Sequence, residues 1–176
     1  MSRNIILYIA MSLDGYIAKE NDDINFLNIV EKEGEDYGHS PFTQSIDTII
    51  WGRKTYDKIL SFGIDFPYPD KKVIVFSKSR TGKDDNVEYF GGNLSNLIAE
   101  LKSQDGLDIY CDGGAELVAE LLKQKLIDKL IISVIPHLLG SGIRLFKEGV
   151  PEQNLLFQKS ITFPTGLVQL YYNVKK

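Results

Sequence analysis

Short apolar runs alternate along the chain with stretches whose apolar residues recur every three or four positions. The runs are continuous rather than alternating, which is typical of strands covered on both faces. The predicted buried strands are residues 5–11, 47–51, 72–76 and 108–111. The predicted helices between them are residues 53–60, 94–103 and 115–123.

The last third of the chain changes to a β-rich pattern. Residues 129–136 form a long β-branched run, and residues 155–163 and 166–174 predict a closing hairpin around Pro164, Thr165 and Gly166. Strands that alternate with helices in the first two thirds of the chain, followed by a hairpin, predict an α/β domain whose sheet is mostly parallel with an antiparallel edge. Ligands of such sheets bind beyond the carboxyl ends of the strands.

One such strand end is the glycine pair in the stretch DIYCDGGAELVAELL, residues 108–122. Gly113 and Gly114 separate a strand from a helix and leave room for another molecule against the main chain. The first turn of that helix offers free N–H groups and the positive end of its dipole, which suit a phosphate. The same pair also makes a tight connection in α/β proteins that bind nothing there, so the motif alone leaves both interpretations open.

Two more strand ends carry groups that bind anions. Gly52 is followed by Arg53, Lys54 and Thr55, where two cations stand at the unfavourable positive end of a helix dipole. Ser77 and Lys78 follow the next strand. Each set alone fits solvated surface charge or a polar loop. Three sets on one rim favour a dinucleotide phosphate site, and their basic character favours NADPH over NADH.

Composition narrows the function classes. The 176 residues are 43% hydrophobic and 25% charged, which predicts one domain spanning residues 1–176. A net charge of −4 argues against a nucleic-acid or anionic-membrane partner. Cys111 is the only cysteine, and His39 and His137 lack ligand spacing, so we expect no metal. The first apolar run is too short for a membrane span and lacks a signal-peptide pattern, which predicts a cytoplasmic protein.

Four segments carry a resemblance to a known family. They are residues 12–18 (SLDGYIA), 52–56 (GRKTY), 113–117 (GGAEL) and 135–146 (IPHLLGSGIRLF). In this order they resemble the dihydrofolate reductase fold, and more narrowly the branch related to the reductase domain of bacterial riboflavin biosynthesis. The resemblance implies a three-layer fold: a twisted, mostly parallel sheet of about eight strands with an antiparallel C-terminal hairpin edge, helices on both faces, and NADPH across the strand ends.

The resemblance also implies site residues and a cis peptide bond between Gly113 and Gly114. The implied cofactor contacts are Gly113, Gly114, Ala115 and Glu116 at the pyrophosphate, Gly52, Arg53, Lys54 and Thr55 at the pyrophosphate and 2'-phosphate, Ser77 and Lys78 beside the adenosine, and Ala10, Ile17 and Ala18 near the nicotinamide.

Reduction of a heterocycle also needs a proton source, commonly a carboxyl group whose pKa an apolar pocket raises. Asp36 is the leading candidate, with Tyr37 beside it, although the run of acids there also fits an exposed turn. Asp14 lies in the loop over the site, where it could equally cap a turn before Gly15. Asp112 corresponds to an acid that faces the substrate in riboflavin-type reductases.

These features favour an NADPH-dependent reductase of a pyrimidine or pterin, in the class of the 5-amino-6-(5-phosphoribosylamino)uracil reductases. The acidic-proline segment with which those enzymes hold a ribosyl phosphate is missing, and residues 52–56 are of the dihydrofolate reductase type. The alternatives are a true dihydrofolate reductase and a nucleotide-binding protein without activity. The resemblance further predicts a homodimer, and residues 128–139 could form either core or its interface.

Overall fold

A computed structural model describes residues 3–175. The helices are a 3-10 helix Asn25–Val30, α1 His39–Gln44, α2 Arg53–Ser61, α3 Leu94–Ser103 and α4 Ala115–Lys123. The strands are β1 Ile5–Ser12, β2 Tyr16–Ala18, β3 Ile46–Gly52, β4 Lys72–Phe76, β5 Gly82–Lys83, β6 Glu88–Phe90, β7 Asp108–Cys111, β8 Lys129–Ile135, β9 Ile143–Arg144, β10 Leu155–Thr162 and β11 Val168–Val174.

Within residues 3–175, nine strands form one sheet in the order β10-β11-β8-β1-β7-β3-β4-β6-β5. The interior strands β8, β1, β7, β3 and β4 pair in parallel, while β11 is antiparallel to both β8 and β10. The parallel strands end at the same edge of the sheet, where α2 and α4 begin. This is the predicted α/β architecture with its antiparallel hairpin edge.

Strand β1 shows how the sheet is buried on both faces. Ile5 and Leu7 pack on one side with apolar residues of α3 and α4. Ile6 and Tyr8 pack on the other side with residues of α1 and α2. Because both faces need apolar side chains, the strand reads as a continuous apolar run. The helices therefore cover both faces of the sheet, as predicted.

The structure adds short elements that the pattern did not predict. The 3-10 helix, α1 and the strands β2, β5, β6 and β9 are each six residues or shorter, which is too short for a clear hydrophobic period. The run at 128–139 had two interpretations. Strand β8 within it lies between β1 and β11, so this part belongs to the interior of the sheet. Among the described residues, no helix is long and apolar enough to cross a bilayer.

Candidate active site

A cleft of about 1550 Å³ opens beyond the carboxyl ends of the parallel strands. It reaches from the ends of β3, β4 and β7 across β1 to the 3-10 helix and α1. The cleft wall includes every predicted cofactor residue except Gly113, whose α-carbon instead faces Ile9. It also includes Asp36, Tyr37 and Asp112, whereas Asp14 lies outside it.

The glycine turn between β7 and α4 is tied to the start of α2. The Gly113–Gly114 peptide bond is cis, as the resemblance implied. The Gly52 N–H donates to the Gly113 carbonyl at 2.9 Å, and the Gly114 N–H donates to Thr55 Oγ1 at 2.8 Å. A Cβ on Gly114 would lie 2.9 Å from Thr55 Oγ1. The two helix starts are therefore held against each other by these two hydrogen bonds, and at Gly114 the contact leaves little space for a side chain.

The first turns of α2 and α4 face the cleft without a side-chain cap. Gly52 and Gly114 precede the two helices, and neither accepts a hydrogen bond through a side chain. By contrast, the Asn93 side chain accepts from the Asn96 N–H at the start of α3. Uncapped N–H groups at the positive end of a helix dipole are suited to bind an anion.

Cations surround these open helix ends. Arg53, Lys54, Lys78 and Lys147 all line the cleft. Lys54 Nζ lies 3.1 Å from Glu116 Oε1, and this ammonium group lowers the pKa of Glu116. Arg53 contacts Asp57 at 2.8 Å, and Asp57 also accepts from Arg80 at 2.6 Å. The cations therefore exceed the carboxylates at this end, as an anion site requires.

Asp14 anchors the loop between β1 and β2. Its carboxylate accepts from the Ser12 hydroxyl at 2.6 Å and from the backbone N–H groups of Leu139 and Gly140 at 3.0 and 2.7 Å. These hydrogen bonds lower the pKa of Asp14 to about 2. Asp14 thus ties its loop to residues 139–140 rather than capping the turn before Gly15, and it does not reach the cleft wall.

Asp36 and Tyr37 line the cleft but are held by the backbone. Asp36 is exposed and accepts from the N–H groups of Ser40 and Gly38, both at 2.9 Å, which lowers its pKa. The Tyr37 hydroxyl donates to the Val30 carbonyl and lies 3.0 Å from Thr165 Oγ1. A lowered pKa disfavours Asp36 as a proton donor, because the carboxyl group stays ionised at neutral pH.

Asp112 has the opposite electrostatics. Trp51 Nε1 donates to Asp112 Oδ2 at 2.7 Å, and the Tyr110 hydroxyl donates to Oδ1 at 2.5 Å. Burial raises the pKa of Asp112 to about 6, against the lowering effect of these two donors. Asp112 also lines the cleft. Among the predicted acids it is the one that combines access to the cleft with a pKa suited to giving up a proton near neutral pH.

A polar network at the floor of the cleft was not predicted. Gln169 Nε2, fully buried, donates to the Tyr8 hydroxyl at 2.9 Å and to Ser133 Oγ at 3.0 Å, while the Tyr171 hydroxyl donates to Gln169 Oε1 at 2.5 Å. Tyr8 and Ser133 line the cleft. The sequence feature that could have predicted this network is the presence of Ser133 and Gln169 within otherwise apolar strands. Buried polar side chains need hydrogen-bond partners, so two of them in neighbouring strands suggest a shared network.

Similarity to known proteins agrees with this geometry. The RibD C-terminal domain family model matches residues 69–169. The chain belongs to the RibD C-terminal domain family. The uncharacterized protein YwjB of Bacillus subtilis is 43% identical to this RibD-type chain over 173 residues, covering 98% of each.

Solved structures extend the comparison of the RibD-type chain. A Shewanella sp. PV-4 protein provisionally named a riboflavin biosynthesis protein is 34% identical, with a TM-score of 0.90 over 100% of both chains. Dihydrofolate reductase from Enterococcus faecalis has a TM-score of 0.70 over 100% of both chains at 14% identity, which shows a shared fold. The family and fold are thus those of the dihydrofolate reductase-like oxidoreductases.

Proposed function

We propose that the protein is an NADPH-dependent reductase that transfers hydride to a pyrimidine- or pterin-type heterocycle. The observation that carries this proposal is the cleft itself. One end has two uncapped helix starts among cations, and a partly buried carboxyl group with a raised pKa lies further along the same wall. Such a cleft can hold a phosphorylated cofactor and deliver a proton to a second ligand.

The chain's residues fit the cofactor by their shape and charge. The uncapped N–H groups that open α2 and α4 can bind a pyrophosphate, and the absence of a side chain at Gly114 lets the turn lie against Thr55 between the two helix starts. Arg53 and Lys78 would favour the additional 2'-phosphate. Bound NADPH supplies the hydride. The related fold of Enterococcus faecalis dihydrofolate reductase was solved with NADP(H), which supports the same choice here.

Asp112 is the group we propose to hold the proton. Trp51 and Tyr110 fix its carboxyl group in one orientation, and burial keeps a share of it protonated near neutral pH. Asp36, the leading candidate from the sequence, stays the alternative donor, acting through an ordered water. The matched variants Asp112→Asn and Asp36→Asn distinguish the two. Only the variant that has lost the proton donor should turn over substrate about 100-fold more slowly or worse while binding NADPH as tightly as the wild-type protein.

The first experiment measures cofactor binding and turnover separately. Titration calorimetry should give tighter binding of NADPH than of NADH, and an Arg53→Gln variant should narrow that preference. Turnover is then followed by the loss of nicotinamide absorbance with dihydrofolate, with a dihydropterin and with 5-amino-6-(5-phosphoribosylamino)uracil. No binding of NADPH would contradict the proposal.

The same assay separates the remaining functions. Turnover of dihydrofolate above the other substrates would identify a dihydrofolate reductase. NADPH binding without turnover of any heterocycle would identify a nucleotide-binding protein that lacks the reaction.

We also propose that the protein is a homodimer that pairs through β10. This strand is one of the two edges of the sheet, and Leu155, Leu156 and Phe157 on it are 44%, 50% and 59% exposed. An apolar edge strand favours pairing with another chain. Light scattering after gel filtration should give the mass of two chains, and Phe157→Lys should shift it to one. A wild-type mass of one chain would refute the dimer.

A further inference from the structure

The end of the cleft away from α4 differs from the cofactor end in how its helices begin. The Asp36 carboxylate accepts from the Gly38 and Ser40 N–H groups at the start of α1. Asp23 Oδ1 accepts from the Asn25 N–H at 2.7 Å, at the start of the 3-10 helix. Carboxylates thus occupy N–H groups at both helix starts, and these N–H groups are not available to a phosphate.

The charges at this end of the cleft also disfavour a phosphate. We call it the acidic end. Its charged cleft-lining residues on the loop before the 3-10 helix, the loop after it and the C-terminal half of α2 are four acids against two lysines: Asp22, Glu31, Glu35 and Asp36 against Lys32 and Lys58, with the imidazole of His39 at the start of α1. At the cofactor end four cations stand against Glu116 and Glu120. The cleft therefore has two ends of opposite charge.

The mouth of the acidic end is apolar. Leu27 and Val30 of the 3-10 helix line it on one side, and Ile59 and Phe62 of the α2 region line it on the other. Phe62 is 47% exposed, so a ligand that reaches the mouth would cover apolar surface. A substituent placed here gains more from apolar contact than from charge.

We infer that the reducible substrate is a neutral or protonated heterocycle that carries no phosphate. This inference rests on the proposed function and specifies its substrate. A phosphate dianion on the substrate would lie among carboxylates and would find both nearby helix starts closed, whereas an uncharged or cationic ring system meets neither obstacle. Like charges facing each other across a binding site weaken binding strongly.

The test uses ligand pairs that differ only in the phosphate. Calorimetry measures 5-aminouridine against 5-aminouridine 5'-monophosphate, and 6-hydroxymethylpterin against its phosphate. All titrations are made in saturating NADP⁺, so that the cofactor end is already filled. We expect the phosphate-free member of a pair to bind about tenfold tighter or more, and the difference to shrink as salt is raised.

A charge-neutral variant shows whether the carboxylates cause this preference. The double variant Glu31→Gln, Glu35→Gln keeps the side-chain oxygen that accepts from the Tyr37 N–H but removes two charges. It should strengthen binding of the phosphorylated members several-fold and change binding of the phosphate-free members much less, so that the ratio between the two members falls. Tighter binding of the phosphorylated members to the wild-type protein, binding of neither member, or an unchanged ratio in the variant would each overturn the inference.

Failure of the substrate inference can be told apart from failure of the proposed function. The NADP⁺ titration that precedes each experiment reports the cofactor site alone. Normal NADP⁺ binding with preference for the phosphorylated ligands would leave the reductase proposal standing and reject the phosphate-free substrate.

Discussion

Replacement of Asp112 by Asn should remove a defined part of the pH dependence of stability. Asn keeps the size of the side chain and still accepts from Trp51 or Tyr110, but it carries no charge. In the wild-type protein burial raises the pKa of Asp112 from 3.8 to about 6. A shift of this size corresponds to about 3 kcal/mol of folding free energy at full ionisation.

The sign follows from proton uptake. Because the folded state holds this proton more tightly than the unfolded chain, the contribution of Asp112 is fully present below pH 3.8 and is lost as pH rises through about 6. Between about pH 5 and pH 8 the wild-type protein should lose roughly 1.4 kcal/mol from this group. Urea unfolding of both proteins at the two pH values measures this loss of free energy. The contributions of all other titrating groups cancel when the change in the variant is subtracted from the change in the wild-type protein.

The same pair of proteins tests the assignment of the proton. Turnover by the wild-type protein should fall as pH rises through about 6, and the Asn variant should show about 100-fold lower turnover without that pH step. Equal pH dependence of unfolding in the two proteins would refute the raised pKa of Asp112. Unchanged turnover in the variant would refute its role as the proton donor.

Three further changes test other parts of the cleft. Gly114→Ala places a Cβ 2.9 Å from Thr55 Oγ1, so calorimetry should show NADPH binding about tenfold weaker or worse; unchanged affinity would show that nothing binds against this turn. Asp14→Ala removes the acceptor for the Leu139 and Gly140 N–H groups, so their amide exchange should accelerate, and the variant should lose less stability than the wild-type protein as pH falls from 3.8 towards 2; equal exchange would contradict the anchoring role. Glu116→Gln removes a carboxylate from among the cations, so NADPH should bind a few-fold tighter at low salt and about equally at high salt; weaker binding would mean that the charge of Glu116 assists the cofactor.

Sequence pattern predicted the elements that carry long apolar signals. Strand β1 and helix α4 agree with their predicted ranges to within a residue, because each has a full period of buried positions. The glycine turn and its neighbour at Gly52 were found because glycine and charge at strand ends are local features. What the sequence could not supply was the partner of each polar group.

Asp36 and Asp112 show this difference. Asp36 stood out as part of an acidic run, yet its carboxylate is held by N–H groups two and four residues away, where a left-handed Gly38 turns the chain. One of the two hydrogen bonds that Asp112 accepts comes from Trp51, 61 residues earlier. The Gln169 network likewise joins residues 161 positions apart. Such contacts depend on strand order, which is not chain order here, so the pKa values of these groups follow from the folded structure.

The opposite charges of the two cleft ends should determine both the orientation in which a dinucleotide binds and the order in which the two ligands bind. A dinucleotide approaching the empty cleft is steered by its phosphates towards α2 and α4 and away from the carboxylates, so the cleft favours one orientation from first encounter. Once its phosphates have offset the cations at that end, the whole cleft becomes electronegative. Free anions are then repelled, and a neutral or cationic second ligand enters without competition from them. Binding should therefore be ordered, with the cofactor first, because carboxylates already occupy N–H groups at the starts of the two short helices, whereas the starts of α2 and α4 remain open to phosphate.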